Sequence, residues 1–101
     1  VGCVALVPLS PAEITTALKD LPGWSLEGDA LACSFVFSDF REAFAFMTRV
    51  AFEAEDLGHH PDWSNGYNRV QIRLCTHDAG NRVTRQDVEL AQRIHRLAGH
   101  R

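Results

Sequence analysis

SDFREAFAFMTRVAFEAEDLG, residues 38–58, carries the strongest helical pattern of the chain. Ser38 or Asp39 can cap a helix here. Phe40, Ala43, Phe44, Met47, Val50, Ala51, Ala54 and Leu57 then recur at helical spacing, and Gly58 stands where a helix commonly ends. Phe46 and Phe52 lie off the centre of that stripe. They fit either core-edge packing or a second apolar face that another subunit covers.

Upstream, SPAE at residues 10–13 opens a shorter helix. Ser10 is the cap, Pro11 suits the first helical position, and Glu13 is spaced to close a capping box. Ile14, Ala17, Leu18 and Leu21 give its apolar face, and Pro22-Gly23 ends it in a turn. WSLEG at 24–28 and LACSFVF at 31–37 both alternate, and the Gly-Asp turn between them predicts an antiparallel hairpin.

Downstream, residues 62–67 and 70–76 read as two further strands, with Val70, Ile72 and Leu74 facing a core and Gln71 and Arg73 facing away. Residues 77–83 form a loop. Thr84 and Asp87 then cap a last helix whose buried stripe is Val88, Ala91, Ile94 and Leu97 or Ala98. The order α-β-β-α-β-β-α predicts an α+β two-layer domain, a four-stranded antiparallel sheet with three helices on one face.

The chain has 101 residues, 46% apolar and 23% charged, which fits one domain over residues 1–101, with 1–9 a loosely held segment. The formal net charge of −3 argues against nucleic acid as the partner. Arg85, Arg93 and Arg96 are interleaved with Asp87 and Glu89, as on a solvated helix face. Three cysteines, Cys3, Cys33 and Cys75, with no CxxC are no disulfide framework, and a reducing cytoplasm is the simpler expectation. VGCVALVPL at 1–9 lacks a basic start and is broken by Pro8, so neither a signal peptide nor a membrane span is expected.

Chemistry concentrates in GHHPDWSNGY, residues 58–67. His59 and His60 fall between the long helix and the next strand, where a helix C-terminus favours positive charge. Pro61 pushes His60 toward extended backbone. His77 follows the strand at 70–76, and a short hairpin can return it to the level of the pair. Histidine is the side chain best suited to exchange protons near neutral pH. Glu55, one turn before His59, can fix an imidazole tautomer. Surface histidines often do nothing, but three at segment ends, two of them adjacent, favour a site. A metal centre is the nearest rival. It lacks HExxH spacing and grouped cysteines, so no metal is expected. Cys75 reads as a small strand residue. Trp63 and Tyr67 fit sheet packing or the wall of a site for a planar ligand.

These residues resemble a known family. Glu55, three residues, His59-His60-Pro61, five residues, Tyr67, nine residues, His77 and then Asp87 match the signature of the pterin-4a-carbinolamine dehydratases. GW at 23–24, FxFxDFxxAFxFMTRVAxxAE across 35–55 and HHPDWSNxYNRV across 59–70 extend the likeness to about residues 10–98. The resemblance implies dehydration of 4a-hydroxytetrahydrobiopterin to a quinonoid dihydropterin, which recycles the pterin cofactor of aromatic amino acid hydroxylases. It implies no metal or organic cofactor. It implies subunits that pair through sheet edges and through the long helices, as a homodimer or homotetramer. One animal member also serves as a dimerisation cofactor of a transcription factor, so an interaction module is the alternative. By resemblance His59, His60 and His77 are the catalytic set; the dehydration needs one proton delivered and one removed, and we assign His59 and His77 to that transfer and His60 mainly to binding. The pterin-binding segments map onto Gly58–His60 and onto Cys75, Thr76, His77 and Asp78. Glu55 and Trp63 complete the expected binding set. Gly66 departs from the family's usual branched apolar residue, which puts packing near Trp63 in doubt. Ala79 stands where some members have cysteine.

Overall fold

The computed structural model describes residues 7–99. The elements are α1 (Pro11–Leu18), β1 (Ser25–Glu27), β2 (Ala30–Val36), α2 (Phe40–Leu57), β3 (Asp62–Gly66), β4 (Arg69–Leu74), a 3-10 turn at His77–Ala79, and α3 (Arg85–Ala98). The four strands form one antiparallel sheet in the order β1-β2-β4-β3. The expected α+β order of three helices and four strands is therefore present.

The caps form as the sequence dictates. At α1 the Ser10 hydroxyl accepts from the Glu13 amide at 3.1 Å, and the Glu13 carboxylate accepts from the Ser10 amide at 2.8 Å. Those bonds hold the Glu13 carboxyl below its ordinary pKa. Asp39, rather than Ser38, caps α2, with its Oδ1 accepting from the Glu42 amide at 2.9 Å. α1 ends at Leu18, and Leu21 is buried from the turn that follows.

β4 buries Val70, Ile72 and Leu74 by strict alternation, as expected. Its register with β2 sets Cys33 opposite Ile72, and with β3 sets Trp63 opposite Ile72. The hairpin turns at Tyr67-Asn68, with Tyr67 in the left-handed region at φ 51°, so β3 ends one residue before the expected 67, while β4 starts one residue before the expected 70 and ends two before 76. One core joins sheet and helices through Ile14, Leu31, Val70, Ile72, Leu90 and Ile94.

Helix α2 corrects the expected stripe. Its buried residues are Ala43, Phe46, Val50 and Ala54. Phe46 is a core residue, its ring centroid 4.9 Å from those of both Phe35 and Phe37. Phe40, Phe44 and Phe52 are instead 45%, 55% and 71% exposed, and Ala51 is exposed too. Phenylalanine stands on both sides of this helix, so periodicity alone identifies a helix without choosing its inner face. Three aromatic rings from β2 and α2 meeting around Phe46 decide it.

Gly66 is exposed, and an added Cβ would meet nothing within 4 Å. The doubt about packing beside Trp63 is thus answered: a branched residue here would point into open space. The loosely held segment falls mainly on residues 1–6, outside the described residues. Within the described part of that segment, Leu9 donates its amide to the Val83 carbonyl at 2.8 Å and packs on the core. No helix among the described residues is long and apolar enough to cross a membrane.

Candidate active site

The end of α2 aims the tandem histidines. Gly58 takes a left-handed conformation, φ 65° and ψ 29°, and donates its amide to Glu55 O at 3.1 Å, while the His59 amide donates to Ala54 O at 3.0 Å. This is the Schellman termination that glycine permits without strain. It turns His59 back beneath the helix end and leaves His60 outside. His59 is buried and His60 exposed.

Inside, His59 Nε2 lies 2.5 Å from Asp87 Oδ1. Asp87 has no exposed surface. Its Oδ2 accepts from the Thr76 hydroxyl and from the Thr84 amide, each at 2.8 Å. Thr76 and Thr84 hydroxyls are 2.7 Å apart. With Thr76 donating to Asp87, the Thr84 hydroxyl must donate to Thr76. Both carboxylate oxygens of Asp87 and both threonine hydroxyls are then partnered, as buried groups require. An ionised Asp87 accepts only, so His59 Nε2 carries the proton. In the neutral imidazole, Nδ1 is left as the acceptor.

The other two histidines have different settings. His60 Nε2 meets Glu55 Oε1 at 2.9 Å, and both side chains are mostly exposed. Glu55 thus fixes an imidazole, but that of His60 and not the one a turn away. His77 opens the 3-10 turn, and its Nδ1 lies 2.6 Å from Asn81 Oδ1. A carbonyl oxygen accepts, so Nδ1 donates, and in the neutral ring Nε2 keeps its lone pair. That atom faces Asp62 Oδ2 at 3.7 Å.

An open cleft of about 460 Å³ brings these groups together, lined by Gly58, His59, His60, Pro61, Asp62, Thr76, His77, Asp78 and Gln86. Its size falls within the roughly 300–1,000 Å³ of small-molecule sites. Six expected site residues, Gly58, His59, His60, Thr76, His77 and Asp78, line it. Glu55, Trp63 and Cys75 do not appear among the lining residues. Glu55 acts at one remove through His60, and Trp63 packs against the core. Cys75 lies beside Asp62 and His77, and burial, then the charges of Asp62 and Asp87, push its thiol pKa up.

Sequence reasoning took Asp87 as a cap and as the last position of a signature, and left it out of the site. It does cap α3, and the same carboxylate holds His59. Asp62, Asn81 and Gln86 were not singled out as site residues. Asp62 follows the His-His-Pro run directly, a signal that could have found it; nothing local marks Asn81 or Gln86.

Comparison with known proteins agrees with the geometry. Residues 7–97 match the family model described as pterin 4 alpha carbinolamine dehydratase. A curated protein of Opitutus terrae, named "Putative pterin-4-alpha-carbinolamine dehydratase", is 53% identical over 90 residues, covering 89% of this chain and 93% of its own length. The crystal structure of a transcriptional coactivator/pterin dehydratase from Brucella melitensis superposes with a TM-score of 0.86 at 44% identity, covering 91% of this chain and 99% of that one. A pterin dehydratase-like protein identified as a RuBisCO assembly factor in the alpha-carboxysome superposes with a TM-score of 0.61 at 26% identity, covering 75% and 87%. A matched model and an identity of this extent, over a fold whose three histidines open on one cleft, leave a single assignment: the chain belongs to the pterin-4a-carbinolamine dehydratase family.

Proposed function

We propose that this chain is a 4a-hydroxytetrahydrobiopterin dehydratase. The observation that carries the reading is His59, His60 and His77 on one cleft, with His59 anchored to a buried carboxylate.

The reaction breaks the bond from C4a to the hydroxyl, delivers a proton to that oxygen, and removes a proton from the adjacent ring nitrogen. Water leaves and a carbon–nitrogen double bond forms, with no net change in protons or electrons. One group must donate and another accept, and two imidazoles do both near neutral pH. His77 has its Nε2 free to accept, because Nδ1 is committed to Asn81. His59 is fixed in place by the buried Asp87 carboxylate and so suits the donor's part. His60, outside and tied to Glu55, suits binding. Gly58, Thr76 and Asp78 shape the cleft floor and rim, with Cys75 and Trp63 supporting from outside the lining. The chemistry asks for no cofactor.

Recycling the cofactor of an aromatic amino acid hydroxylase in the cytoplasm is the role that follows. A homotetramer, or failing that a homodimer, is the assembly that would cover Phe40, Phe44 and Phe52. The second reading is an interaction module, favoured by the description of the Brucella protein as a transcriptional coactivator and of the carboxysomal one as a RuBisCO assembly factor. The complete histidine set supports the enzyme instead. Coupled turnover of a 4a-hydroxytetrahydropterin, made in situ by a hydroxylase, tests the choice. Acceleration of its dehydration supports the enzyme, and none leaves the interaction reading.

A further inference from the structure

We propose that Asp62, Cys75 and His77 form a zinc site at the mouth of the cleft, and that zinc bound there inhibits the protein by occupying His77. The binding half stands on geometry alone; the inhibitory half rests on the dehydratase reading above.

The three side chains are distant or unremarkable in sequence and close in space. Asp62 pairs with Arg73 across β3 and β4, and Cys75, two residues beyond Arg73, continues on the same side as its diagonal neighbour. His77 comes two residues later. One ligand atom from each residue lies within 4.8 Å of the other two. Zinc holds nitrogen, oxygen and sulfur donors at roughly 2.0–2.3 Å, so these atoms need close by only about 1 Å. The side chains of His77 and Asp62 are 66% and 60% exposed, which leaves them free to make that movement.

His77 is already set up as a ligand. Asn81 Oδ1 takes the Nδ1 proton and fixes the tautomer with Nε2 as acceptor. Zinc-bound histidines are commonly oriented by such a partner on the second ring nitrogen. That Nε2 faces the Asp62 carboxylate at 3.7 Å, so in the neutral ring an acceptor meets an acceptor. Such an arrangement favours a positive species between them, either a proton or a metal ion. Mixed imidazole, thiolate and carboxylate donors suit zinc, and three protein ligands leave a fourth position open. Because His77 also lines the cleft, a loaded site withdraws its lone pair from proton transfer.

The test adds cobalt(II) to the metal-free protein as a spectroscopic stand-in for zinc. Thiolate-to-cobalt charge transfer in the near ultraviolet should saturate at one equivalent per chain and be displaced by zinc. Cys75→Ser should abolish that band. Asp62→Asn and His77→Gln, both exposed and compatible with the fold, should weaken binding at least tenfold. Zinc should depress turnover of the wild type, and EDTA should restore it. Absence of the sulfur band, or its survival in Cys75→Ser, overturns the site. Zinc binding with undiminished turnover overturns the inhibitory half. A protein that shows the band with cobalt but, when metal-free, never turns over pterin supports the site and counts against the dehydratase reading instead.

Discussion

His59 meets Asp87 at 2.5 Å, and the aspartate that holds it has no exposed surface. One carboxylate thereby does two jobs: Oδ1 fixes an imidazole of the cleft, and Oδ2 caps α3 through the Thr84 amide. The end of α2 and the start of α3 are tied together at the point where the chemistry is proposed.

Breaking that tie should cost both stability and activity. Leaving a buried donor unpaired costs about 1–3 kcal/mol, and Asp87→Ala, which strips the acceptor from His59, Thr76 and the Thr84 amide, is expected to cost at least that. Asp87→Asn should fold better but lower kcat, since an amide nitrogen donates where the carboxylate accepts and so disturbs the hydrogen bond that orients His59. Thr76→Val, which strips one donor from Asp87, should destabilise by about 1–3 kcal/mol. Urea denaturation beside steady-state kinetics checks all three, and a fully stable Asp87→Ala would contradict the described role.

The histidines should separate by kinetic signature. His77→Ala should lower kcat by roughly 10²–10⁴, the usual worth of a general acid or base. His60→Ala should raise KM more than it lowers kcat, as loss of uniform binding does. The uncatalysed dehydration is easy enough to narrow the visible range. Initial rates across a substrate series distinguish the two patterns.

The two faces of α2 predict opposite outcomes. Phe46 sits among Phe35 and Phe37, so Phe46→Ala should cost about 3–5 kcal/mol of stability. Phe44 is 55% exposed and stacks on Phe40 at 5.5 Å, so Phe44→Glu should leave the fold intact and break a helix-to-helix assembly. Light scattering at micromolar concentration should give tetramer or dimer mass for wild type and a smaller species for Phe44→Glu. A monomeric wild type would refute the assembly.

Burial should make the described thiols slow. The Cys33 thiol is raised from 9.0 to about 11 by desolvation, and Cys75 is raised for the same first cause. Raised values mean less thiolate at neutral pH, so alkylation of both should lag a free cysteine at pH 8. For Cys33 the unfolded chain releases its proton first, so its contribution to stability is intact below about pH 9 and declines as pH rises toward 11. Peptide mapping after timed iodoacetamide exposure, and denaturation at several pH values, check both.

Much of this architecture was legible from residue patterns. The capping pairs Ser10–Glu13 and Thr84–Asp87 are local chemistry, and each marks a helix start to the residue. The alternation of Val70, Ile72 and Leu74 gave a strand with its inner face. The inner face of α2 was not legible, because Phe44 and Phe46 are equally apolar and only the rings of Phe35 and Phe37 select between them. In the cleft, the histidines announced themselves by adjacency and by Pro61. Their partners did not: Asp87 is 28 residues from His59 and looks like a cap, while Asn81 is a loop residue until His77 leans on it. Long-range pairing of this kind carries no periodic signal.

The central claim is proton transfer by imidazoles of this cleft, and the most direct test is a His59→Ala/His77→Ala double variant in coupled pterin turnover. Folding is first checked by circular dichroism. The expected result is a folded protein that no longer accelerates dehydration of the 4a-hydroxytetrahydropterin above its spontaneous rate, beside a wild type that does. A folded double variant with wild-type turnover would contradict the account.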